Sequence, residues 1–522
     1  MSIQRSTGEP YDLEGKRLVF TSWHYVRQSY CWWYDKEGNH LDKSVTKNPW
    51  EAVFQAKECP WGIRLVAQGA ERVGPLLQPE RPWEEKGIQF NTILRDGGIF
   101  RTWGVSQSKD DKWWPCYFES KDGLHWGRPN LGMAEYDGSR DNNIYANPRH
   151  AGMLGGAIFK DPSAPKTEIY KSVGAVKFTP EETEAFLRKH YTDDWQLKGD
   201  ELRSHAGVSG AVSPDGLNWT ILPEPLTVEC TDTQVIAYYD KRLRKYVLYT
   251  RTRIAGPRSQ KTLDEGDMGE NSIGEGTGRR SIGRSESDDF RHFPISETIF
   301  APGMSLPPSD TLYTNCRTEV PGAPDHHLMF PTIWHQSDDT TSVALASSQD
   351  GKLWDFVPGP PVLTTTAFGE WDGGCIFAHP NLIELPNGDF ALPYTGFNFP
   401  HKYPRGEWRF LPGLAVWPKG RLVALEAPER GEFTTPGLMP PGRKLRINAL
   451  TQRAGSILVE VAGFNGKPIK GRSFDDAVPI IGDRHWTPVT WKGQDDLGFE
   501  EGRSIILRFR MDKAKIFGLE FE

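Results

Sequence analysis

The chain has 522 residues, 37% of them hydrophobic, and carries 62 Lys and Arg against 69 Asp and Glu for a formal net charge of −7. The length allows two or three cores, and an acidic balance with no basic tract or basic helix excludes nucleic acid as a partner class. No apolar run approaches the ~18 residues of a membrane helix, whereas 53 Gly, 40 Pro and 19 Trp point to a turn-dense, mostly β chain with aromatics suited to sugar faces.

The N-terminus, Met1 to Pro10, lacks the apolar core of a secretion signal. The chain as given therefore reads as cytoplasmic, or as secreted or periplasmic if a leader was removed. Cys31, Cys59, Cys116, Cys230, Cys316 and Cys375 are scattered without CxxC spacing, so neither zinc nor a disulfide framework is expected. No cofactor is predicted, although a structural calcium is compatible with the sequence. In residues 1–86, Arg17-Leu-Val-Phe-Thr-Ser-Trp-His-Tyr-Val26 and Trp61-Gly-Ile-Arg-Leu-Val-Ala67 read as strands. They either close the following repeat array or cap it, or make an oligomer contact; the oligomeric state is open.

From residue 87 the chain repeats itself. Hairpins recur at Asn91–Trp103, Gly156–Ser172, Gln234–Thr250 and Asp310–Trp334, and a fifth runs from Cys375 through Pro386-Asn-Gly388 to Thr395. Between them one phrase returns: Ser120-Lys-Asp122-Gly123-Leu-His-Trp126, Ser213-Pro-Asp215-Gly216-Leu-Asn-Trp219, a degenerate Ser287-Asp-Asp289-Phe290-Arg-His-Phe293, and Ser348-Gln-Asp350-Gly351-Lys-Leu-Trp354. Ser and Asp side chains bond nearby backbone, Gly accepts positive φ, and the indole is expected to pack into the neighbouring unit. Two hairpins per unit make a four-stranded blade, so residues 87–428 are predicted to be a five-bladed β-propeller.

Two insertions interrupt the array. Thr179-Pro180-Glu181-Glu182 opens a short helix with a capping box, running to about His190, and residues 256–279 form a Gly-rich polar loop, either a lid or an ordinary connection. Residues 429–522 are predicted to be a β-sandwich: Ile505, Leu507, Phe509 and Met511 alternate with Ile506, Arg508 and Arg510, and Asn465-Gly466 signals a tight hairpin.

Aligning the units on their turns puts Asp232, Asp310 and Asp372 at the start of the innermost strands of blades three, four and five. Glycosidic cleavage needs such convergence, with one carboxyl protonated to donate to the leaving oxygen and one ionised to attack or to activate water. Gln89, Asn91 and Gln234 belong to the same rim, as do Asp141, Arg149 and His150 before the second inner strand and Tyr313, Asn315 and Arg317 along the fourth. Arg149 or Arg317 would hold a substrate carboxylate or sulfate, or else neutralise the channel's own aspartates. His379 and His401 would orient a hydroxyl, and Trp371 would stack on a sugar or pack between blades. Asp161 aligns instead with the turn residues Asp96 and Asp240 and is not expected to catalyse.

These units resemble the five-bladed propeller glycosidases of the invertase and arabinanase kind, with turns similar to sialidase Asp-boxes, although the sialidase box has one more residue between Asp and Gly. Glu229-Cys230-Thr231-Asp232 resembles the Glu-Cys-Pro-Asp segment that carries the general acid in invertase-like hydrolases. The resemblance implies Glu229 or Asp232 as acid, with Asp372 or Asp310 as base or nucleophile. The family's first-blade Trp-Met-Asn-Asp-Pro-Asn-Gly has no counterpart, since Gly87-Ile-Gln89-Phe-Asn91 stands there. The expected activity is glycoside hydrolysis of an oligo- or polysaccharide. The alternatives are a non-catalytic carbohydrate-binding propeller, and a polysaccharide lyase using His150 as base and Arg149 as charge neutraliser.

Overall fold

The structure, a computed structural model, describes residues 9–27, 60–154, 156–191, 206–229, 231–232, 234–254, 278–403 and 408–522. These residues are almost all β. The first sheet is Gly87–Asp96, Ile99–Gln107, Trp113–Ser120 and Trp126–Gly127, in chain order. The second runs Ala157–Lys160, Tyr170–Lys177, Ala206–Ser213 and Thr220–Ile221, with Thr227–Val228 also paired to Ala206–Ser213. The third is Ile236–Asp240, Lys245–Ile254, Arg279–Ser287 and Glu297–Phe300.

The fourth is split into two four-stranded halves, one starting at Asp310–Leu312 and the other at Arg317–Val320. In the fifth, Cys375–Ala378, Phe390–Phe397 and Phe410–Trp417 are followed by Glu71–Val73 from the N-terminal segment. First strands pack on one another from sheet to sheet: Gly87–Asp96 on Ala157–Lys160, and that strand on Ile236–Asp240. Asp310–Leu312 lies against Arg279–Ser287, Cys375–Ala378 against the fourth sheet, and a Phe410–Gly87 pair joins the fifth sheet to the first.

The recurring phrase builds the expected turn. Asp122 Oδ1 accepts from the N–H groups of Leu124 and His125, both at 2.8 Å, while Ser120 Oγ accepts from Gly123. Asp215 and Ser213 repeat this pattern, as do Asp350 and Ser348. Gly216 has φ +81°, and a Cβ there would lie 2.7 Å from the Trp103 ring, so both turn and contact require glycine. The indole of Trp354 packs edge-on to Tyr249 of the preceding sheet as expected, and two of the indoles make a further bond. Trp126 and Trp219 donate back to the glycine carbonyl of their own turn, and the preceding sheet reaches in as well: Trp103 Nε1 donates to Gly216 O and the Tyr249 hydroxyl to Gly351 O. Asp161 is indeed a turn residue, capping Ser163 and accepting from Tyr246 of the next sheet.

The N-terminal segment does two things. Glu71–Val73 completes the fifth sheet, while Arg64–Ala67, Arg17–Leu18 and Tyr11–Asp12 join a C-terminal sheet. That sheet is continuous and eight-stranded, built on Leu445–Gly463 and Ile505–Phe521. Register shifts near Asn448, Thr451 and Ala427 interrupt its long pairings, the kind of irregularity that bends a strand. Strand Val423–Thr434 straddles the boundary expected at 428/429, and the Asn465-Gly466 hairpin forms. Pro180–His190 is helical with the Thr179–Glu182 capping box in place. Residues 256–277 of the expected loop lie outside the described residues, as do Cys31, Cys59 and Cys230; Cys116, Cys316 and Cys375 are free and buried. No described helix is long and apolar enough to cross a membrane.

Candidate functional site

A pocket of about 290 Å³ is lined from the starts of Gly87–Asp96, Ala157–Lys160, Ile236–Asp240 and Cys375–Ala378 and by Thr314, between Asp310–Leu312 and Arg317–Val320, and the sheets contribute to it in turn. The first supplies Gln89 and Asn91, the latter at a β-bulge between Phe90 and Thr92, an irregularity that re-aims a side chain. The second presents mostly backbone, through Gly152, Gly156, Ala157, Gly174 and Ala175. A Cβ on Gly174 would come within 2.1 Å of Gly152 O, so glycine is what lets the Ala151–Leu154 helix sit on that strand. The third gives Asp232, Gln234 and Val235, and the fourth Thr314. The fifth adds His379 and Pro380, an aromatic wall of Phe377, Phe397 and Trp408, and His401.

Asp232 is the one carboxylate lining the pocket among the described residues, and its side chain is 58% exposed. Arg251, itself buried, bonds it through Nη1, donates through Nη2 to the Tyr313 carbonyl, and stacks 4.3 Å from the Tyr313 ring centroid. Partial burial alone would raise the Asp232 carboxyl; the charges of Arg251, Arg253 and Arg280 outweigh it and hold the group below the ordinary carboxylate value. Asp232 is therefore ionised at neutral pH. The Tyr313 hydroxyl meets His401 Nε2 at 2.7 Å, which links this ion pair to the far wall. Burial pushes His379 down to about 3, so its ring, bonded at 2.9 Å to Thr395 Oγ1, is neutral.

The expected convergence of four acids does not occur in this pocket. Glu229 is buried and accepts from Ser296 N and Oγ at 3.2 and 3.0 Å, which ties the segment before Asp232 to the third sheet. Asp310 pairs across strands with His335, Oδ2 to Nδ1 at 2.9 Å, and that ring continues to Ser342. Asp372 is fully buried, accepting from Tyr394 at 2.9 Å and from Thr366, with Arg72 Nε 3.4 Å away. Its neighbour Arg72 belongs to the strand that completes the fifth sheet. Partners from other strands and connections hold all three of these carboxylates away from the pocket.

The remaining expected residues divide in the same way. Gln89, Asn91, Gln234, His379 and His401 line the pocket. Gln234 also ties three sheets together, donating to Ala378 O and accepting from Cys316 N, while its own carbonyl accepts from Asn315. Arg317 is buried between the third and fourth sheets, 3.3 Å over the Tyr238 ring and bonded to Glu319 and His327. Trp371 stacks on Tyr394 and packs against Gly396 and Gly413. Asp141 is exposed and bonded to Asn130, and Arg149 Nε contacts His150 Nε2 at 2.9 Å, so these three do not line the pocket.

No family model and no curated protein matches the chain. Solved structures do. A protein named as a glycoside hydrolase is similar at 13% identity, over 67% of this chain and 92% of that one, with a TM-score of 0.42. A glycosyl hydrolase from Bacteroides ovatus matches at 12%, over 68% and 94%, with a TM-score of 0.42. The catalytic domain of a GH62 α-L-arabinofuranosidase from Coprinopsis cinerea matches at 11%, over 67% and 97%, with a TM-score of 0.40. At such identities and TM-scores no residue role passes to this chain.

Sequence reasoning missed Arg251, Thr314 and the aromatic wall. Phe377 was within reach, since it stands two residues before His379 on the same run and so shares its face. Arg251 and Trp408 carry no such signal, because only the folded chain brings the one onto Asp232 and the other to the pocket wall. Among the described residues no group of three or more His, Cys, Asp or Glu is placed to hold a metal ion.

Proposed function

We propose that the five sheets are the blades of a five-bladed β-propeller backed by a C-terminal β-domain, and that the chain is a glycoside hydrolase with Asp232 as its ionised carboxylate. The observation that carries this reading is the pocket itself. Polar groups of Gln89, Asn91, Gln234, Thr314 and His379 share one cavity with the faces of Phe377, Phe397 and Trp408. A sugar ring has the same division, with hydroxyls at its edge and C–H groups on its faces. About 290 Å³ lies just below the ~300–1,000 Å³ range of small-molecule pockets, which suits one ring.

The role of Asp232 follows from its charge. A carboxyl held ionised by neighbouring guanidinium groups is a poor proton donor at neutral pH. It is suited to activate water or to attack the anomeric carbon, so the acid role inferred from the Glu-Cys-Thr-Asp resemblance is replaced by that of base or nucleophile. Arg251 fixes its position through Tyr313.

A second reading, carbohydrate binding without turnover, is favoured by the single described carboxylate at the pocket, since hydrolysis ordinarily uses two. Comparing Asp232→Asn with wild type separates the two. Hydrolysis predicts that turnover on aryl glycosides or polysaccharides falls at least about a thousandfold, while titration calorimetry still detects saccharide. A wild type that binds saccharide but turns over nothing in such a panel leaves the binding module; one that binds none removes both readings.

A further inference from the structure

We propose a second saccharide subsite on an aromatic platform at the edge of the pocket, formed by Phe368, Phe399 and Tyr403, which takes the sugar next to the one held in the pocket. The proposal rests on the reading of the pocket as a sugar site. Phe368 and Tyr403 are 66% and 47% exposed. They are not scattered: Phe399 stands between them, edge-on to Phe368 at 6.1 Å and stacked on Tyr403 at 4.9 Å with an interplanar angle of 4°. Single exposed aromatics are ordinary, but three joined in a row through Phe399 form an apolar patch of the kind that marks binding surfaces.

Continuity with the pocket says what covers it. The connection after Phe390–Phe397 carries Phe399, His401 and Tyr403 in succession, and its flanking residues Phe397 and Trp408 form the pocket wall with Phe377. Gly374, three residues before Phe377, packs directly on the Phe399 backbone, with 2.0 Å from its would-be Cβ to Phe399 C. The platform is held in place from the fourth sheet, where Asp339 accepts from His401 N through its carbonyl and from Lys402 N at 2.6 Å through Oδ2. A ring leaving the pocket over His401 therefore meets aromatic faces already fixed in orientation, at little ordering cost. The occupant is the adjoining pyranose or furanose of an oligosaccharide, stacked through its C–H face.

The test uses the full chain and titration calorimetry against matched mono-, di- and tetrasaccharides of arabinose, xylose, mannose and galactose. The Phe368→Ala/Tyr403→Ala double variant is expected to lose about tenfold or more affinity for the longer ligands, with monosaccharide affinity unchanged, and Phe368→Trp/Tyr403→Phe is expected to restore it. Because both side chains are exposed, the thermal midpoint is expected to stay at the wild-type value. No length-dependent loss, or a loss that the aromatic replacements fail to restore, overturns the platform while leaving the pocket reading intact. A wild type that binds no member of the panel overturns the pocket reading and the platform with it.

Discussion

At the turn end of the sheets, Asp122, Asp215 and Asp350 commit their carboxylates to backbone N–H groups; at the pocket end, Asp232 is held by a guanidinium side chain and stays 58% exposed. Both environments keep the group ionised. One spends an oxygen on backbone N–H groups of its own turn, and the other leaves an anion facing a cavity. The difference lies in the partner. A backbone N–H is fixed by the turn that it stabilises, whereas Arg251 comes from a neighbouring strand and is oriented by Tyr313 of the next sheet.

The sharpest way to break this contrast is to damage the turn end. Trp103 is fully buried and seals the second sheet's turn through its bond to Gly216 O. Trp103→Ala is expected to cost about 3–5 kcal/mol, read by denaturant unfolding, with no change in the acid limb of any activity profile. Were it to move that limb, the two ends would not be independent.

Acid titration probes the same contrast with a smaller effect. The His125 N–H and ring hold Asp122 low; in Asp215 and Asp350 partial burial pushes upward, and backbone donors led by those of Asn218 and Leu353 outweigh it. Folded values below unfolded ones mean that the stabilisation is complete above the ordinary Asp value of about 3.9 and is lost as pH falls through the folded values. The thermal midpoint should therefore be insensitive to these groups near neutrality and should drop below about pH 4. In an Asp122→Asn/Asp215→Asn/Asp350→Asn variant that acid slope is expected to flatten.

The smallest effect sharpens the pocket side. Arg251→Gln removes one of the charges that depress Asp232, so the Asp232 carboxyl rises and protonates at higher pH. Activity that depends on the ionised form should then be lost at a higher pH than in wild type, as read from the acid limb of kcat/KM. An unmoved limb would separate Asp232 from that ionisation.

How much of this was legible depended on the range of the forces involved. The Ser-x-Asp-Gly turns and the Thr179 capping box are settled by hydrogen bonds spanning two or three residues, and both form as expected. The pocket's depth in the chain was also legible, because strand starts recur in register. Asp310 and Asp372 were not, because His335 and Tyr394 on adjacent strands hold their carboxylates. Trp371 and Phe368 make the same point from three residues apart, since the larger aromatic is taken up by packing on Tyr394 and the smaller is left exposed. Nothing local distinguishes them.

The strand Glu71–Val73 lies beside Phe410–Trp417, more than three hundred residues later in the chain. On a ribosome the earlier partner emerges long before the later one exists, so the nascent chain carries an unmatched backbone ribbon throughout most of its synthesis. A ribbon of only three residues offers little to foreign strands meanwhile, so closing this seam is a step left to the very end of assembly.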